Sequence, residues 1–465
     1  MDCDRKFKLL LFVLLIWVCV AVEAERRGPF LYVNHGDFGG YITEYGADHR
    51  LAPLSTSDGV FHLVFFNTTP NAYTLAIGMG IRERSIMRYV WTANRNHPVS
   101  DNATLEFTAT GDLVLSDADG SLVWSSNTSN KGAVQIELGV DGNLVIYDKK
   151  NQTVWQSFDY PSDTLMIGQT LKLDKVKKLV SRISEKNGAE GPYSLVMEAG
   201  GFALYASFPK PVPYWTVSYF DSKKKDLFSI THTCKQPLES ITFVSETNGL
   251  LIDGFHQMME MRLANFTAPR KLRSSQLCDL TPYESWRFGL NAFKIDPALS
   301  FLRLDWDGNL RAYTYSPSMD SNMWDITYER FDCKAGPVDG CGPPRKCGSF
   351  GLCEDGNCVA CPHPDGLKGW SNKCAPPQLP TCKTSNASLD FYKVVGVEHF
   401  SNKYVAGIGK IKVGECRSRC LRDCKCAAFF YWEESSTCFL TQTLDTLQQL
   451  GNTTHLAFIK YVNKV

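Results

Sequence analysis

An all-β molecule whose C-terminal third is held by disulfides is the fold class the sequence predicts, and three observations predict it. Short runs of Val, Leu, Ile, Phe and Tyr, such as FHLVFF, YTLAIGM and NLVIYD, alternate with Gly, Asp, Asn and Ser turns from residue 25 to about 233. Strand-length apolar runs with that punctuation argue for a sandwich, barrel or prism. TGDLVLSDADGSLVWSS (110–126) also aligns with DGNLVIYDKKNQTVWQS (141–157), and RLDWDGNLRAYTY (303–315) is a more distant copy. Self-similar β units that cannot each bury a face alone assemble around a shared core. Trp91, Trp124 and Trp155 therefore read as core aromatics rather than ligand-stacking rings. Third, Cys3 and Cys19 stand in the N-terminal segment, and every other cysteine of the 17 lies at or beyond Cys234.

In chain order, MDCDRKFK precedes the apolar run LLLFVLLIWVCVAV and then EAERR. A basic start, a short apolar stretch and small residues at Val22 and Ala24 fit a secretory signal over 1–24, cleaved after Ala24. The run is shorter than the roughly 20 residues of a membrane-spanning helix, and no comparable run follows, so a secreted protein without a membrane span is expected. The 465 residues exceed one compact core, so several domains are expected. Lys plus Arg and Asp plus Glu balance at 49 each, which argues against a nucleic-acid binder with its basic stripe. Sequons at Asn67, Asn102, Asn127, Asn151, Asn265, Asn386 and Asn452 point to N-glycosylation.

Beyond residue 333 the texture changes. CGPPRKCGSFGLCEDGNCVACPHPDGLKGWSNKC is too short and too rich in Gly and Pro to build an apolar core, so cross-links must hold it. APPQLPT reads as a Pro-rich linker into a last module that starts near Cys382 and contains GECRSRCLRDCKCAAFFYWEESSTC. Cys416, Cys420 and Cys424 recur every four residues, which aligns them along one side of a helix. Such cysteine density in an exported chain means disulfides, and the odd number beyond the leader leaves one thiol over.

VWTANRNHPV (90–99), GDLVLSD, VWSSN and above all WQSFDYPSDTL (155–165) resemble the ectodomain of plant S-domain proteins. With FFNTTPNAYTLAIGM, the chain resembles in particular their kinase-less, epidermis-specific secreted glycoproteins. The resemblance implies tandem β-prism units of bulb-type (mannose-binding-like) lectin kind, followed by EGF-like and PAN/apple modules. It implies a lectin domain over 25–162, a second lectin-like, S-locus glycoprotein-like region over 163–332, an EGF-like module over 333–375 and a PAN module over 382–462. It further implies Cys341–Cys353, Cys347–Cys358, Cys361–Cys374, Cys416–Cys438 and Cys420–Cys426 bridges, with Cys382–Cys424 by exclusion. For Cys234, Cys278 and Cys333 it settles nothing; a Cys234–Cys278 pair would leave Cys333 odd. A cell-wall or apoplastic location also follows from it.

The bulb-lectin mannose motif is Gln-x-Asp-x-Asn-x-Val-x-Tyr. Residues two apart on a strand share a face, so its polar groups meet sugar hydroxyls while Val packs on the ring. The best copy here is Gly139, Asp141, Asn143, Val145 and Tyr147, which lacks only the Gln. The copy at 108–116 keeps Val114 alone, and the copy at 305–313 carries Arg311 at the Val position. Each lost hydrogen bond removes about 0.5–1.5 kcal/mol, so the expected reading is a degenerate site in which Val145 and Tyr147 serve packing; whatever mannose binding is left, weak or absent, falls on Asp141, Asn143, Val145 and Tyr147. In the same reading Asp-Gly-Asn serves turn geometry, in this copy and more so in the other two.

No HExxH, GxSxG, phosphate-cradling loop or kinase signature is present. CVAC (358–361) with His363 suggests zinc ligation, but disulfides are the expected fate of these thiols in an oxidising compartment. Asp305 and Asp307 read as solvated surface rather than a glycosidase pair. No catalytic residue, metal or cofactor is assigned. The expected function is binding without catalysis, to cell-wall glycans or extracellular proteins, with a dimer through the PAN module as one further expectation. The alternative is an extracellular inhibitor of, or enzyme acting on, cell-wall glycans.

Overall fold

The computed structural model describes residues 26–81, 85–207, 210–218, 238–247, 255–263, 285–293, 299–316, 323–332, 341–382 and 388–463. The expected leader, the sequons at Asn265 and Asn386, and Cys234, Cys278 and Cys333 lie outside the described residues. The chain divides into two compact units. One runs through Gln169 and includes Tyr315–Asp325; the other comprises Thr170–Thr314 and Ile326 onward.

Three antiparallel sheets build the first unit. One carries Phe30–Val33, Thr104–Phe107, Leu113–Ser116 and Leu122–Ser125; a second carries Asp48–Ser55, Phe61–Asn67, Tyr73–Met79 and Arg88–Thr92. The third carries Ala133–Leu138, Leu144–Asp148 and Thr153–Gln156. Its fourth position is taken by Arg27, whose N–H and carbonyl both bond the backbone of Ile136 at 2.9 Å. Alternation sends one set of side chains inward: Leu105, Phe107, Leu113, Leu115, Ile136, Leu144 and Ile146 are wholly buried. The last strand of each sheet contributes one tryptophan. Trp91, Trp124 and Trp155 meet edge to face, with ring centroids 5.9, 6.0 and 5.8 Å apart. The quadrupoles of aromatic rings favour that edge-to-face geometry. This threefold arrangement is the β-prism, and the tryptophans are its core.

Phe61–Asn67 is buried on both faces, because the preceding chain covers the outside of its sheet. Tyr41 packs its hydroxyl on His62 Nε2 at 2.8 Å, and Glu44 accepts from the Tyr89 N–H at 2.7 Å.

The second unit repeats the plan. One sheet carries Lys178–Ser184, Asn187–Glu198, Gly201–Ser207 and Pro211–Ser218; another carries Thr170–Lys172, Leu238–Thr247, Phe255–Leu263 and Ser285–Phe293. Ser300–Leu304 and Leu310–Tyr315 form the hairpin of a third, with Ser300 opposite Thr314 and Leu304 opposite Leu310.

After these sheets the two cysteine-rich regions form one body. Phe350–Glu354 pairs in parallel with Asp445–Gln449, Phe350 opposite Asp445 and Leu352 opposite Leu447. A single five-stranded sheet thus takes strands from both sides of the Pro-rich stretch. Sulfur–sulfur bonds join Cys341 to Cys353, Cys347 to Cys358, Cys361 to Cys374, Cys382 to Cys424, Cys416 to Cys438 and Cys420 to Cys426. Helix α1, Val413–Arg422, presents Cys416 and Cys420 to the core, both fully buried. Cys424 lies past its C-cap at Asp423, so the four-residue recurrence marks a helix side only for the first two. The buried Lys460 ammonium ends the helix, donating to the carbonyls of Cys420 at 2.7 Å and Asp423 at 3.0 Å. It supplies the donors that the last turn's carbonyls lack within the helix.

Candidate carbohydrate-facing site

The Asp-Gly-Asn stretch is the turn between Ala133–Leu138 and Leu144–Asp148. Asp141 Oδ1 accepts the Asn143 N–H at 3.0 Å, and the Gly139 N–H donates to the Asn143 carbonyl at 2.8 Å. Gly142 sits at φ +81° with the Phe61 ring 2.7 Å from where a Cβ would stand, so only glycine fits there. Asn143 is buried, and its side chain works mostly inward. Its Oδ1 accepts from Ser157 Oγ at 3.1 Å and the Phe158 N–H at 3.2 Å, and its Nδ2 donates to Gln156 Oε1 at 3.0 Å. An amide nitrogen carries two hydrogens, which leaves one beyond the Gln156 bond.

Strand pairing decides what shares the face. Val145 stands opposite Glu137 on one side and Gln156 on the other, and Tyr147 stands opposite Gln135. Gln156, from the neighbouring strand, supplies an amide beside Asn143 that the motif position at Gly139 lacks. A Cβ on Gly139 would stand 2.6 Å from Asp141 Oδ1, so the missing Gln cannot be restored without turning Asp141 away from the Asn143 N–H. Over Tyr147 lies Arg26, its guanidinium carbon 4.6 Å from the ring centroid. Arg26 Nε meets Glu137 Oε2 at 2.7 Å, and its NH1 donates to Asn151 Oδ1 at 2.7 Å. Burial raises the Tyr147 hydroxyl pKa, Glu137 adds to that, and Arg26 opposes it. Arg26, Glu137 and Gln156 are the site residues that sequence reading missed; only the last, inside WQSFD, left a signal near the motif.

At 108–116 the Thr108 and Thr110 hydroxyls meet at 3.0 Å on the exposed side, and the motif's Asn position is held by Asp112. Asp112 turns inward, its Oδ1 accepting from Ser126 Oγ at 2.8 Å and the Thr128 N–H at 3.0 Å, and its Oδ2 from Ser125 Oγ at 2.7 Å. Burial raises its pKa, but these hydrogen bonds outweigh it and hold the carboxyl below its ordinary value.

At 305–313 the structure corrects the reading of Asp305 and Asp307 as solvated surface. Asp305 is buried, and both acids grip Arg311: NH1 reaches Asp305 Oδ2 at 2.8 Å and NH2 reaches Asp307 Oδ2 at 2.7 Å. Arg311 Nε donates to Glu329 Oε1 at 2.9 Å, and the Tyr313 hydroxyl donates to Asp305 Oδ2 at 2.8 Å. Burial raises the Asp305 pKa against the pull of Arg303 and Arg311. For Arg311, burial works downward, yet Asp307 and Asp305 hold the guanidinium well above its ordinary value. Asn309 repeats Asn143's role, taking the Phe331 N–H at 3.0 Å. At the motif's Val position, then, stands a guanidinium held by three carboxylates.

Cys358 and Cys361 are both consumed by disulfides, and His363 Nδ1 stands 3.1 Å from Asp365. Among the described sequons, Asn102, Asn127, Asn151 and Asn452 are exposed, whereas Asn67 is only 5% exposed.

A D-mannose binding lectin family matches residues 88–186, and a PAN-like domain matches residues 382–444. EP1-like glycoprotein 2 of Arabidopsis thaliana is 39% identical over 98% of this chain and 100% of its own. The epidermis-specific secreted glycoprotein EP1 of Daucus carota is 39% identical over 81% of this chain and 95% of its own. A G-type lectin S-receptor-like serine/threonine-protein kinase of Arabidopsis thaliana is 25% identical over 83% of this chain and 42% of its own. With its lectin-type sheets, its PAN-like disulfide core and this near full-length identity, the chain belongs to the EP1-like family of secreted plant glycoproteins.

Proposed function

We propose that this secreted glycoprotein acts in the cell wall as a lectin-like binding protein without catalysis, and that among the described residues its carbohydrate-facing surface is the sheet carrying residues 139–147. The observation that supports this reading most is the half-buried Tyr147 lying in register with Gln135, beside Val145, which is itself only 6% exposed and pairs with Glu137 and Gln156, with Asp141 exposed at the end of that face. Hydroxyl partners and an apolar ring contact are what a pyranose requires. The other motif copies are closed, by the inward Asp112 and by Arg311. With Gly139 in place of Gln and most of the Asn143 amide engaged inward, the affinity of this proposal is weak, millimolar at best, about −4 kcal/mol.

A glycan array with the wild type and Asp141→Ala tests it. Weak mannoside signals that vanish in Asp141→Ala support the reading, and tight binding that survives the substitution refutes it. Asn143→Ala is not a usable probe, because that side chain also pins Ser157 and Phe158. Incubation with wall polysaccharides separates the alternative: turnover, or inhibition of added wall hydrolases, contradicts binding alone. A dimer through the PAN module remains part of the proposal, read from the solution mass of the intact protein. Deleting 382–465 would also strip the strand Asp445–Gln449 from the shared sheet, so truncation cannot report on it.

A further inference from the structure

Two faces of this chain carry the Asp-x-Asn-x-x-x-Tyr pattern, and each has an arginine over it. At 305–313 the arginine belongs to the strand itself, and Asp305, Asp307 and Glu329 fix it in place. At 139–147 the arginine comes from outside the repeat. Arg27 adds to the sheet edge through two backbone bonds to Ile136. That places the Arg26 side chain across the face, over the Tyr147 ring and between Glu137 and Asn151.

We infer that Arg26 is an intramolecular stopper: its guanidinium occupies the Tyr147 side of the carbohydrate-facing surface, and a neutral pyranose binds there only by displacing it. The inference deepens the reading of that face as carbohydrate-facing and rests on it. The chemistry of the contact supports displacement. A guanidinium seated over the Tyr147 ring and a pyranose approaching the Tyr147 hydroxyl compete for one surface. Glu137, now spent on Arg26, would be released as an acceptor for sugar hydroxyls. The stopper is held less firmly than Arg311, since the Arg26 side chain keeps 38% exposure, although its partner Glu137 keeps only 15%. Exposed ion pairs and cation–π contacts are weak. Arg311, by contrast, is 16% exposed and bonded by three carboxylates, so that face stays shut.

The test is calorimetric titration of the full-length secreted protein with methyl α-mannoside, comparing wild type, Arg26→Ala, Asp141→Ala and Arg26→Ala/Asp141→Ala. Arg27 holds the arm through backbone bonds, so Arg26→Ala keeps the sheet edge paired; Arg26→Met, which keeps the apolar stem without the charge, controls for lost packing. The expected result is tighter binding by on the order of tenfold in both Arg26 variants, lost again when Asp141 is removed. If Arg26→Ala binds as the wild type does and Asp141→Ala alone abolishes that binding, the stopper is refuted while the carbohydrate reading stands. If no variant binds any mannoside, the carbohydrate reading fails and the stopper fails with it.

Discussion

Arg311 holds the motif position that Val145 holds in the other copy, where a buried apolar side chain is exchanged for an ion network. Removing one member of a buried ion pair costs about 3–5 kcal/mol because the partner is left buried without compensation. Arg311→Leu is therefore expected to destabilise the unit by about 3 kcal/mol at pH 7 in denaturant unfolding. Asp305 sets the pH dependence. Its folded pKa is already raised by burial, and losing Arg311 raises it further, so the folded variant holds that proton more tightly than the unfolded chain. Stability lost at pH 7 should then be partly regained as the pH falls towards the carboxyl range; a flat pH profile for the variant would count against it. How legible were these residues? The Asp-Gly-Asn turn was readable, because the Asp Oδ1 accepts the Asn N–H in both copies. Asn143 as an internal pin was not, since its partner Ser157 lies 14 residues on, across a strand pairing that no local pattern specifies.

Single elements carry two further expectations. Lys460 lies in the strand His455–Val462 with its ammonium against the end of α1. Lys460→Met should leave two carbonyls without donors and cost about 2 kcal/mol, measured as a fall in thermal midpoint with the disulfides intact; an unchanged midpoint would show that the cap is dispensable. At the end of the strand Val397–His399, His399 is buried with Nδ1 2.6 Å from Ser401 Oγ, and burial pushes its imidazole down to about 3. Unfolded histidine titrates near 6.5, so stability is complete above that pH. It is lost as the pH falls from 6.5 towards 3, by about 1.4 kcal/mol per unit. His399→Gln should flatten that slope between pH 6.5 and 5, and an unaltered slope would assign it elsewhere. The helix carrying Cys416 and Cys420 was visible from cysteine spacing. Its end was not, because a lysine some forty residues later in the chain sets it.

At the scale of the whole molecule, the all-β class, the internal repeat and the tryptophans were legible because alternation and repetition are local properties of sequence. The Trp91–Trp124–Trp155 cluster makes that reading testable: Trp155→Ala should cost about 3–5 kcal/mol, and a loss under 1 kcal/mol would remove the triad from the core. What stayed hidden depends on distant pairing. The parallel register of Phe350–Glu354 with Asp445–Gln449 merges two regions that composition separates. The pairing of Arg27 with Ile136 brings Arg26 to a site more than a hundred residues away. The carbohydrate-facing role of the 139–147 sheet is most directly tested by methyl NMR of valine-labelled protein titrated with methyl α-mannoside. Progressive shifts of the Val145 methyl resonances, absent in Asp141→Ala, are the expected result. Saturable shifts that leave Val145 untouched would place the sugar elsewhere and contradict it.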